Sequence, residues 1–196
     1  MAKLTAERVD AVLRFWFGGS DEACLNTARG AWFARDEAFD DAIRRQFLDD
    51  WQQLERGELD MDVTDAKAAL AWLLIADQFP RNLFRGEARA FASDARARAG
   101  ARLARESGLD RRLPPVARVF AYLPFEHSED LADQQWSVQL FSELAAELPD
   151  SGYLDYARRH LDVIAEFGRF PHRNAALGRT STAAELSYLA RPGAGF

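Results

Sequence analysis

The sequence predicts an all-α protein. Apolar residues recur at i, i+3, i+4 and i+7 along nearly the whole chain, no run alternates as a strand does, and glycine or proline punctuates the periodic stretches. Val9, Val12, Leu13 and Trp16 make the first stripe, which Gly18 and Gly19 stop; the segment to Gly30 reads as a loop. Phe39, Ile43, Phe47, Trp51 and Leu54 make the second stripe, ended by Gly57. From Asp65 to Phe79 the chain is apolar almost all round, the mark of a buried central helix, and Pro80 is expected to end it. Glu87 to Ser107 reads as one long helix with Ala88, Phe91, Ala95, Ala99 and Leu103 along one side, capped by Gly108.

Pro114 and Pro115 suit the first turn of a short helix ending before Pro124. His127 to Leu148 follows, with Leu131, Val138, Phe141 and Leu148 expected inward. Tyr153 to Gly168 is expected to bury Leu154, Ala157, Leu161 and Ile164 on one side and Tyr156, Val163 and Phe167 on the other. Thr182 and Glu185 have the T-x-x-E spacing of a capping box, which opens a last short helix. The sum is about eight helices joined by short loops, which favours antiparallel hairpins within a single domain over residues 1–196.

Composition narrows the function classes. The chain has 196 residues, 31 acidic against 25 basic, a formal charge of −6, and 48% hydrophobic residues. That composition excludes a disordered chain and argues against nucleic acid as a partner. The longest apolar stretch, Ala68 to Ala76, falls far short of the roughly 20 residues that cross a bilayer, so no membrane role is expected. Met1 to Asp10 has no signal-peptide pattern, and the expected location is cytoplasmic. The sole cysteine, Cys24, reads as an inert thiol; Phe15-Trp-Phe17 and Trp32-Phe33 read as core aromatics.

Charged residues that look misplaced gather in Asp77–Gly86, Tyr122–Gln134 and Phe167–Thr182, where aromatics, prolines and glycines surround them. Asp77 shares a helical stripe with Leu70, Leu73 and Leu74, so its carboxylate should be buried and must have partners, with Arg81, Arg169 and Arg173 as candidates. His127, His160 and His172, with Glu126 or Asp130, would bind zinc if they converged, but no H-x-x-x-H or H-E-x-x-H pair is present, and no metal or cofactor is assigned. Arg169, Arg173 and Arg179 precede Thr180, Ser181 and Thr182 at a helix start, a combination suited to a phosphate or carboxylate; the structural alternative is a cap and paired arginines.

Phe15-Trp-Phe-Gly18, Asp77-Gln-Phe-Pro-Arg-Asn82, Leu123-Pro-Phe-Glu-His-Ser-Glu-Asp130 and Gly168-Arg-Phe-Pro-His-Arg-Asn174 together resemble the bacterial family called domain of unknown function 924. The resemblance runs over nearly the whole chain. It implies a helical fold similar to tetratricopeptide-repeat proteins, arranged as a right-handed array of hairpins, and no established reaction. The family pattern carries Met where this chain has Glu126, which sets Glu126 outside the candidate site.

The expected site residues are Asp77, Arg81, Asn82, His127, Glu129, Asp130, Arg169, His172, Arg173, Asn174 and Arg179, binding a small anionic ligand or peptide. One alternative is a hydrolase-type enzyme, metal-assisted or not, using Asp77, His127 and His172. Another is a salt-bridge network that only holds together a protein-interaction module. All of these expect residues near 80, 128 and 172 to converge.

Overall fold

The computed structural model describes residues 1–195. They are all-α, apart from a two-residue parallel pairing of β1 (Ala2–Lys3) with β2 (Leu59–Asp60). They form two compact units: Met1–Arg85 with Arg89–Pro124, and Gly86–Ala88 with the chain from Phe125 onward. Among the described residues no helix is long and apolar enough to cross a membrane.

The first unit begins with α1 (Ala6–Phe17), capped by Thr5 and closed by Gly18 in the left-handed conformation at φ 85°. The expected loop that follows contains a one-turn helix, α2 (Glu22–Leu25), because the Asp21 carboxylate accepts the Cys24 N–H at 3.0 Å. Next come α3 (Glu37–Glu55), α4 (Ala66–Leu73) and α5 (Phe79–Leu83). Phe15, Trp16, Phe39, Phe47, Phe79 and Phe120 pack ring against ring in the core, as their helical spacing implies. Trp32 joins them, donating its indole N–H to the Trp16 carbonyl at 2.7 Å, whereas Phe33 is 63% exposed.

Pro80 does not end the central helix. Between α4 and α5 the chain makes a wide π turn, Leu74–Gln78, in which the Phe79 N–H reaches back to the Leu74 carbonyl. Pro80 then falls in the first turn of α5, where its missing N–H costs least. The Ala76 carbonyl, four residues before the proline, accepts the Ser93 hydroxyl at 2.6 Å instead, and Ser93 Oγ accepts the Trp51 indole N–H at 3.0 Å.

The predicted helix from Glu87 is broken for a related reason. A 3-10 turn, Ala88–Phe91, precedes α6 (Asp94–Glu106), and Ser93 sits at the junction with its hydroxyl committed to the core. The break changes the phase. Ala90, Ala97, Gly100, Ala101 and Ala104 are buried, while Ala95, Ala99 and Leu103 face solvent. The next helix, α7 (Pro115–Glu126), carries Pro124 inside its last turn rather than stopping before it.

The second unit contains α8 (Leu131–Ala145), α9 (Tyr153–Phe167) and α10 (Ala183–Leu189), with α8 and α9 packed together. α8 starts four residues later than its apolar pattern suggests, because the Asp130 carboxylate caps it through the Ala132 and Asp133 N–H groups. Its buried face is Gln134, Ser137, Leu140, Phe141 and Leu144; Leu131 is exposed. α9 ends at Gly168, φ 68°, as expected, and buries Ala157, His160, Val163 and Ile164, leaving Tyr156 exposed. α10 opens with the capping box read from the sequence: Thr182 Oγ1 accepts the Glu185 N–H at 3.2 Å, and the Glu185 carboxylate accepts the Thr182 N–H at 2.7 Å.

Candidate functional site

Asp77, Arg81 and Asn82 belong to the first unit. Asp77 is 1% exposed, as its place on the apolar stripe requires. Its carboxylate accepts the Gln78 amide at 2.6 Å and lies 3.5 Å from Arg81, which also donates to the Asp77 carbonyl. Arg81 reaches Asp94 at 3.1 Å. Burial opposes the Arg81 charge, but Asp77 and Asp94 together hold its pKa above the ordinary arginine value. Asn82 donates to Asp40 at 2.7 Å, and Arg85 shares the same carboxylate.

His127, Glu129, Asp130, Arg169, His172, Arg173, Asn174 and Arg179 belong to the second unit. Most of their polar groups are spent on one another. Arg179 makes a two-pronged pair with Glu129 at 2.7 and 2.9 Å and donates its Nε–H to Asn174 at 2.9 Å. Burial would raise the Glu129 pKa, but Arg179 and the Phe170 N–H outweigh it and hold the carboxyl below its usual value. Arg169 forks onto Glu185 at 2.6 and 2.9 Å, and Arg169 with the Thr182 N–H pulls the Glu185 carboxyl down to about 2. Thr182 caps its own helix and Asp130 caps α8. Two of the three arginines expected to face an anion are therefore fork-paired to glutamates.

The histidines form a different group. His160, 7% exposed on α9, has Nδ1 2.8 Å from the Tyr156 carbonyl and 3.2 Å from the carboxylate of Glu126, itself 4% exposed. A carbonyl can only accept, so the neutral His160 ring carries its proton on Nδ1. Burial pushes the His160 pKa down to about 3; the Tyr156 carbonyl opposes this, while His127, His172 and Arg173 reinforce it. The His127 ring is 6.4 Å from that of His160. Phe170 meets the His160 ring edge-on at 5.5 Å and lies 5.5 Å from the His172 ring, with the Arg173 guanidinium 4.6 Å from its centroid. Arg173, 6% exposed, also donates to the His127 carbonyl at 3.0 Å. His127 and His172 remain partly exposed.

The expected ligand-site residues do not include Glu126 and His160, which the sequence places with His127 and His172 only in a zinc reading, although both are part of this centre. The available signal was the polar His160 on the buried stripe of α9, which needs a partner as surely as Asp77 does. Among the described residues no group of three or more His, Cys, Asp or Glu side chains is disposed to hold a metal ion. Two clefts open beside α9, about 250 and 460 Å³ in volume, and Arg169 is the candidate residue that lines one of them.

The second unit therefore defines a class: a helical protein with a buried histidine–glutamate pair flanked by two part-exposed histidines and an arginine. A family profile described as bacterial protein of unknown function (DUF924) matches residues 12–193, and the chain belongs to that family. Its fold is similar to that of a protein of unknown function from Agrobacterium tumefaciens, with 39% sequence identity, a TM-score of 0.85, and coverage of 95% of this chain and 99% of that one. No match is found among curated proteins.

Proposed function

We propose that the second unit carries a small-ligand site at the histidine centre and that the site takes a small anion. The observation that supports this reading is the packing of His160, His172 and Arg173 on the Phe170 ring, with Glu126 3.2 Å from His160 and the His127 ring 6.4 Å from that of His160. Arg173 brings a permanent charge into a buried setting, where charge acts strongly. His127 and His172 are part-exposed, and an imidazole N–H can donate to an arriving anion. Glu126 lies 3.2 Å from the neutral His160 ring, the carboxylate–imidazole contact that a hydrolase-type use of the centre would draw on.

The test follows the histidine rings by NMR in wild type and His172→Gln during titration with inorganic phosphate, acetate and an acidic peptide. Saturable shifts of His127 and His172 in wild type, with a weaker His127 response in His172→Gln, support the site, and the ligand that binds tightest identifies the source of the anion. Unmoved rings with all three probes overturn it. The Glu129–Arg179 and Arg169–Glu185 pairs favour a second reading, a network whose only task is to hold the loop. On that reading the rings stay still, and Arg173→Gln lowers the melting temperature without altering any ligand response.

A further inference from the structure

Phe170 links the histidine centre to the chain that holds it. The ring is fully buried and touches His160, His172 and Arg173. The backbone is gripped on both sides. Its N–H donates to Glu129 Oε1 at 2.8 Å, and its carbonyl accepts from Arg179 Nη2 at 3.1 Å. The two gripping residues are themselves the fork-paired carboxylate and guanidinium. Arg179 extends the hold to Asn174, whose amide donates to Ser181 at 3.0 Å.

From these contacts we infer that the Glu129–Arg179 pair positions the histidine centre by clamping the Phe170 backbone, and through it the ring on which His160, His172 and Arg173 rest. The inference rests on the proposed ligand site, and it moves Glu129 and Arg179 from ligand contact to positioning. A two-pronged guanidinium–carboxylate pair fixes angle as well as distance, which a point charge cannot do. The Phe170 ring stands 5.5 Å from the His160 ring and 5.5 Å from the His172 ring, with the Arg173 guanidinium 4.6 Å from its centroid, so a turn of its backbone would carry the ring away from these contacts together.

The experiment compares the full-length wild type with Arg179→Lys, which keeps the charge and loses the fork, and Glu129→Gln, which keeps an oxygen for the Phe170 N–H and loses the charge. Histidine ring resonances are recorded with and without inorganic phosphate. The clamp predicts displaced His160 and His172 resonances in both variants. It predicts phosphate binding at least about tenfold weaker, the usual cost of disturbing groups that orient a site. The double variant should be little worse than either single one. Unchanged His160 and His172 resonances in either folded variant overturn the inference. If neither variant folds, amide exchange at Phe170 in the wild type decides: protection matching the middle of α9 supports the clamp, and rapid exchange overturns it. Wild type that ignores phosphate while the variants still displace the rings would remove the ligand site and leave the clamp standing.

Discussion

His160 Nδ1 lies 3.2 Å from Glu126 Oε1, and the two side chains are 9% and 5% exposed. A histidine held neutral by burial makes folding sensitive to acid. The folded His160 binds its proton only near pH 3, whereas the ordinary value is 6.5. Between those limits the unfolded chain carries the extra proton, so stability falls as pH drops through that window and is fully present above it. Urea melts from pH 7 down to 4 should show this loss, and His160→Gln should flatten it. A wild-type slope that His160→Gln leaves unchanged would assign the loss to other groups.

Asp77→Ala should destabilise the protein by about 3–5 kcal/mol, because it leaves Arg81 facing Asp94 in a buried setting with half its counter-charge removed. Urea denaturation measures it. A loss under about 1 kcal/mol, the range of an exposed pair, would contradict the burial of Asp77.

Gly100→Ala should cost about 1–3 kcal/mol by crowding. The added methyl would stand 2.5 Å from the Trp72 ring, which is 6% exposed and donates its indole N–H to the Leu59 carbonyl at 3.1 Å. Trp72→Phe in the same chain should recover part of the loss; thermal melts of the single and double variants check it.

Thr182→Ala removes one half of the capping box and should cost about 0.5–2 kcal/mol. Glu185 keeps its fork with Arg169, so the loss should be confined to the start of α10. Amide exchange that quickens at Glu185 but not in α9 is the expected pattern.

Much of the fold was legible because helical periodicity and caps are local. The ends of α1 and α9 and the box at Thr182 follow from a few neighbouring residues. The misreadings came where tertiary bonds override local preference. Ser93 gives its hydroxyl to Ala76, and with that bond Pro80 lies inside continuing helical structure while α6 takes a different buried face. On α8 Leu131, expected inward, is exposed, and Gln134 is buried, its amide donating to the Glu126 and Ser128 carbonyls. The site was legible as a list of polar residues in proline- and glycine-rich segments. Its pairing was not: nothing local tells that Arg179 takes Glu129, or that Glu126 meets a histidine on another helix.

The wide turn before α5 leaves this stretch of sequence little freedom. Restoring regular pitch by deleting one residue would place Pro80 where a donor is required, and replacing Pro80 with a residue that has an N–H would set a rival against Ser93 for the Ala76 oxygen. The extra residue, the imino acid and the serine are thus tied together, and drift at any one of them alone carries a penalty until the others follow.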